Sequence, residues 1–165
     1  MKRLAVLLLA LALRGCGLHP LYSGGSGGSV ASMLTRVEVA PIEGKSGWLM
    51  ANALKDRLAA HGEPALYRLE VKLDDKIIGL GVRPDDSVSR ERRTLRARYQ
   101  LIDLSKGTVL LDAAAGSDAG IDVVGSEYAT IAAENSALER LSGIVADQIV
   151  SRVALYADRT PPAAR

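Results

Sequence analysis

Alternation of apolar and polar side chains dominates the middle of the chain. From Leu66 to Asp74, Tyr67, Leu69, Val71 and Leu73 occupy one side, and Arg68, Glu70, Lys72 and Asp74 the other. A period of two predicts a strand with one buried face. Arg92 to Asp103 repeats the pattern, with Leu95, Ala97, Tyr99 and Leu101 opposed to Thr94, Arg96, Arg98 and Gln100. After a turn at Ser105 to Gly107, Thr108 to Ala115 predicts the second strand of a hairpin. A shorter alternating run, Arg36 to Ile42, sets Val37 and Val39 against Arg36 and Glu38. Pro41 marks its end or edge, because proline cannot donate to a ladder.

Two stretches follow the helical period instead. In Ser46 to His61, Met50, Leu54 and Leu58 recur at every fourth position, Ser46 can cap the start, and Gly62 and Pro64 close the end. In Glu127 to Ala157, Ile131, Leu138, Leu141, Val145, Ile149, Val153 and Tyr156 recur at helical steps. Gly143 weakens that helix locally by about 1 kcal/mol. Residues 79–90 and the Gly- and Asp-rich run after Ala115 read as polar connections, and 159–165 as a frayed tail. The order strand, helix, strand, strand, strand, helix predicts one α+β domain over residues 35–158. Its expected form is a two-layer sandwich, two helices packed on one face of a mixed four-stranded sheet.

The first fifteen residues obey neither period. Lys2 and Arg3 precede ten unbroken apolar residues, Leu4 to Leu13. A helix of that length spans about 15 Å, half a bilayer core, so residues 1–15 are expected to be an export signal and not an anchor. Leu13 and Gly15 before Cys16, the only cysteine, are similar to the lipobox of bacterial lipoproteins, while Arg14 departs from it. That resemblance implies a diacylglyceryl group on the Cys16 thiol, cleavage before Cys16 and acylation of the new amine. Three acyl chains, at about 0.8 kcal/mol per buried methylene, hold a protein stably on a membrane. Gly17 stands where Asp would resemble an inner-membrane retention signal, so the outer membrane is the expected destination, on its periplasmic side. Residues 16–34, with the Gly/Ser run Ser23 to Ser29, read as a flexible tether.

Composition narrows the chemistry. Lys and Arg number 21 against 19 Asp and Glu, and loss of Lys2, Arg3 and Arg14 leaves 18 against 19. A near-neutral domain does not support nucleic-acid binding on bulk charge. One cysteine excludes an internal disulfide framework, and two histidines leave little for zinc. His61 sits at a predicted helix end, where the dipole favours it, and His19 belongs to the tether. A nucleophile elbow and a phosphate-binding glycine loop are missing, and the pairs Asp74–Asp75 and Asp85–Asp86 read as solvated turn residues. The expectation is a protein without catalytic activity, cofactor or metal.

What charge there is clusters. Arg90, Arg92, Arg93, Arg96 and Arg98 place five arginines in nine residues, and on a strand Arg92, Arg96 and Arg98 share the face turned from the apolar set. Arginine offers a planar fork of donors suited to phosphate and carboxylate. Such a run either solvates a strand against aggregation or awaits an anion, since like charges this close repel. Outside the cytoplasm, phosphorylated lipid is a better candidate than nucleic acid.

Two segments carry a family resemblance. Cys16-Gly17-Leu18-His19-Pro20-Leu21-Tyr22 matches the opening of the LptE family of LPS-assembly lipoproteins, and Arg93 to Asp103 is similar to that family's third strand. The element order agrees over the rest of the chain. The resemblance implies a plug within the β-barrel of the LPS transporter LptD, a part in assembling that barrel, and binding of lipopolysaccharide. The face of Arg92 to Arg98 then becomes the candidate for lipid A phosphates or an acidic barrel lumen. A rival role is an accessory lipoprotein of a lipid-transport ABC system, and a lesser one is a lipid-anchored hydrolase.

Overall fold

The computed structural model describes residues 28–58, 64–82, 88–123 and 125–160. Cys16, the tether motif, His61 and Asp85–Asp86 lie outside those residues. The elements in chain order are α1 (Ser29–Leu34), β1 (Val37–Val39), α2 (Gly44–Leu58), β2 (Tyr67–Val82), β3 (Val88–Asp103), β4 (Thr108–Asp122) and α3 (Glu127–Arg159). The sheet order is β1-β2-β3-β4, with β1 parallel to β2 and the other pairs antiparallel. This is the predicted α+β architecture, a mixed four-stranded sheet with its helices on one face.

Both periodicities resolve into one core. The sheet contributes Leu69, Val71, Leu95, Ala97, Tyr99 and Leu101, α2 contributes Met50, Leu54 and Leu58, and α3 contributes Leu138, Leu141, Val145, Ile149 and Val153. Ile131 departs from the predicted apolar stripe: it lies near the start of α3 and is 47% exposed. Helices α2 and α3 run side by side in the same direction. Lys45 bonds Asn135 at 2.6 Å and Arg57 bonds Asp147 at 2.6 Å, each pair 90 residues apart. The Arg57 guanidinium holds the Asp147 carboxyl below its usual range, mainly by hydrogen bonding. Gly47 is needed at the start of α2, because a Cβ there would lie 2.5 Å from the Ile42 carbonyl oxygen.

The hairpin is longer than the sequence pattern predicts. β2 and β3 each hold 16 residues and reach into the expected connection at 79–90. β4 continues through the Gly- and Asp-rich run to Asp122. Along β4, Ala113, Ala115 and Ala119 are partly buried and Ile121 is buried, so the alternation persists in small side chains. Alanine, glycine and aspartate have weak strand preference, and antiparallel pairing with β3 overrides it. At the other end of β4 the turn closes with Gly107 at φ 66°, a left-handed conformation that favours glycine. The 33 residues of α3 span about 50 Å and match the length of β3.

The folded unit also begins earlier than expected. Val30, Met33 and Leu34 of α1 are buried in the main core, so the end of the predicted tether is structural.

Candidate anion-binding face

Every second residue of β2, β3 and β4 points away from the helices, and these residues form the open face of the sheet. On β3 they are Arg90, Arg92, Thr94, Arg96, Arg98 and Gln100, between the buried Leu95, Ala97 and Tyr99. Register places Lys72 of β2 opposite Arg98, Asp74 opposite Arg96, and Ile78 opposite Arg92. Side chains directly opposite lie about 5 Å apart at Cβ, so Lys72, Arg96 and Arg98 form one basic cluster across two strands. Beside it, Glu70, Lys72, Arg98 and Gln100 line a depression of about 230 Å³.

The cations of this face are not equivalent. Arg98 makes a forked contact with Asp112 of β4, at 3.0 and 3.3 Å, and Gln100 donates to the same carboxylate at 2.9 Å. Those bonds hold the Asp112 carboxyl below its usual range and raise the Arg98 guanidinium further. Arg90 pairs with Asp122 at 3.0 Å, Arg68 with Glu38 at 2.7 Å, and Lys76 with Asp74 at 2.9 Å. Arg92, Arg96 and Lys72 have no ion pair among the described residues. Exposed pairs contribute little to stability, so the paired cations remain available to an anion that satisfies them better.

Arg93 is apart from the other four. It is an odd-numbered residue of β3, like Leu95, and turns toward the helices. Its guanidinium grips Asp75 at 2.6 and 2.8 Å and donates to the backbone carbonyl of Glu134 in α3 at 2.9 Å. Arg93 is 11% exposed and Asp75 19%, so this pair pins the hairpin to α3 and offers nothing to an outside ligand. Asp74 and Asp75 therefore point to opposite faces, and among the described residues no cluster of acidic, histidine or cysteine side chains could hold a metal. Also beneath α3, Glu91 has a buried Oε2 without a donor. Burial raises its pKa first, and the charge and hydrogen bonding of Glu134 add to the shift.

The arginines are legible in the sequence, and their neighbours are not. Lys72 joins the cluster only through the β2–β3 register, and Asp112 and Asp122 reach Arg98 and Arg90 only through the β3–β4 pairing. Among the described residues no helix is long and apolar enough to cross a membrane.

Comparison with known proteins agrees with this fold. Among solved structures, a candidate lipoprotein from Caulobacter crescentus CB15 is 28% identical, with TM-score 0.68, over 81% of this chain and 99% of its own. A minor lipoprotein from Acinetobacter baumannii shares the fold at 16% identity and TM-score 0.59, over 79% of this chain and 98% of its own. Rare lipoprotein B from Shewanella oneidensis does so at 11% identity and TM-score 0.54, over 74% and 98% of the two chains. No curated protein matches. A family model for LptE, lipopolysaccharide-assembly, matches residues 34–153, from the last residue of α1 deep into α3. The chain belongs to the LptE lipopolysaccharide-assembly family.

Proposed function

We propose that this protein is an outer-membrane lipoprotein, anchored on the periplasmic side through acylated Cys16. It binds lipopolysaccharide, and it supports and plugs the LPS-translocating β-barrel LptD. The observation that carries this reading is the family match across residues 34–153. The open sheet face supports it physically. Lys72, Arg96 and Arg98 set three cations within reach of one phosphorylated headgroup, and Arg92 extends the row along β3. The protein binds and positions; it does not catalyse.

The test is affinity purification of the full chain from detergent-solubilised envelopes. A large β-barrel is the expected co-purifying protein. Recovery of an inner-membrane ABC transporter in its place would overturn the barrel reading. In fractionation without detergent, Cys16→Ala is expected to move the protein from the membrane to the soluble fraction.

A further inference from the structure

We infer that Gly116 of β4 is a seat for the Arg96 side chain, locked from α3 by Gln148, and that this seat holds Arg96 ready for an anion. The inference rests on the ligand reading above and adds two positioning residues to it. Register sets both arginines without an ion pair among the described residues opposite glycines, Arg92 opposite Gly120 and Arg96 opposite Gly116. A side chain at either glycine would stand on the open face beside its arginine. The two positions differ in what already fills that space. A Cβ at Gly120 would have nothing within 4 Å. A Cβ at Gly116 would lie 3.3 Å from Arg96 Cγ and 3.2 Å from the Leu95 carbonyl oxygen. Carbon atoms in optimal contact lie about 3.5 to 4.0 Å apart, so the aliphatic stem of Arg96 occupies the place of a side chain at 116.

A glycine inside a strand is a loose floor unless something holds it, because it has the most backbone freedom to lose. Gly116 is held at both of its backbone groups. Its N–H donates to Gln148 Oε1 at 3.1 Å, and its carbonyl accepts from Gln148 Nε2 at 3.4 Å. The clamp reaches the strand from the helix layer, so it fixes the seat without occupying the open face. Gly120 has no side-chain bond of this kind among the described residues.

Arg98 is directed toward β4 by other means, the forked contact with Asp112 at 3.0 and 3.3 Å. Arg96 and Arg98, two residues apart on β3, therefore both lean toward β4, one through its packed stem and the other through an ion pair. Arginine carries much rotamer freedom, and a guanidinium already aimed loses less of it on meeting a phosphate. Arg92 does not lie over its glycine and gains no such advantage. Of the two arginines without an ion pair, Arg96 is thus the prepared ligand and Arg92 an accessory.

The experiment is a double-mutant cycle on lipopolysaccharide binding by the full chain in detergent, with NMR relaxation of the arginine Nε–H groups alongside. Gly116→Ala and Gln148→Met, each alone, are expected to weaken binding about two- to tenfold, the effect of ordering one released side chain. Gly120→Ala makes the same change opposite Arg92 and should leave binding within about twofold of the parent. In an Arg96→Ala background, Gly116→Ala and Gln148→Met should have no further effect, because both act through Arg96. Without any ligand, the Arg96 Nε–H should be more ordered than that of Arg92 in the parent, and should lose that order in Gly116→Ala. Circular dichroism and melting confirm that each variant is folded. Losses that persist in the Arg96→Ala background, equal losses from Gly116→Ala and Gly120→Ala, or an Arg96 as mobile as Arg92 would each overturn the proposal. A parent that does not bind lipopolysaccharide although its Arg96 is ordered would overturn the ligand reading alone, since that order supports the seat.

Discussion

Arg93 and Arg96 stand three residues apart on one strand and meet opposite surroundings. Arg93 points under α3, where it is 11% exposed and saturated by Asp75 and the Glu134 carbonyl. Arg96 points to the open face, opposite Asp74 and Gly116 in register, and has no ion pair among the described residues. The period of two, and not the residue type, decides which arginine fastens the fold and which is left open to solvent. The covered side of the sheet therefore governs stability, the recognition proposed above belongs to the open side, and each side can be broken alone.

The largest effect is expected from the covered side. Leu95 is fully buried between the sheet and the helices, and Leu95→Ala should cost about 3 to 4 kcal/mol in denaturant unfolding. Arg93→Met should cost about 3 kcal/mol, because the Asp75 carboxylate is left in a mostly buried site without its partner. The double variant Arg93→Met with Asp75→Leu should recover much of that loss, since two apolar side chains then replace a desolvated pair. Failure of that recovery would show that Arg93 acts mainly through its bond to the Glu134 carbonyl.

A smaller effect of opposite sign belongs to Glu91. Its pKa is raised by burial and then by Glu134, so the folded state binds this proton more tightly than the unfolded chain. Stability from this group is therefore full below the unfolded value and falls as pH rises through the folded one. Glu91→Gln removes that loss. It should melt higher than the parent at about pH 7, and the difference should vanish at acid pH, where the Glu91 carboxyl is protonated. A variant that melts lower at both would contradict the assignment.

The extent to which the sequence foretold this molecule follows from the same alternation. Where large apolar residues alternate with charged ones, as in Leu69 to Lys72 or Leu95 to Arg98, strand, face and burial could be read directly. In β4 beyond Ala115 the inward positions hold Ser117 and Ala119 among glycines and aspartates, so contrast is lost, and the strand extends because β3 supplies a partner. α1 is six residues long, too short for a helical period to show, and only its packing in the core makes it a helix. Within the arginine run, the inward turn of Arg93 follows from its spacing of two from Leu95. Its partner Asp75, by contrast, required the hairpin register. The neutralisation of Arg98 by Asp112 was hidden for the same reason.

The smallest expected change in stability carries the most about function. Arg96→Glu with Arg98→Glu alters only exposed positions of the open face and should leave unfolding free energy within about 1 kcal/mol of the parent. The deciding measurement is lipopolysaccharide binding by this folded double variant beside the parent at equal ionic strength. Binding reduced tenfold or more, with the melting curve preserved, is the predicted result. Binding equal to the parent's would contradict the claim that the open sheet face recognises the phosphorylated headgroup.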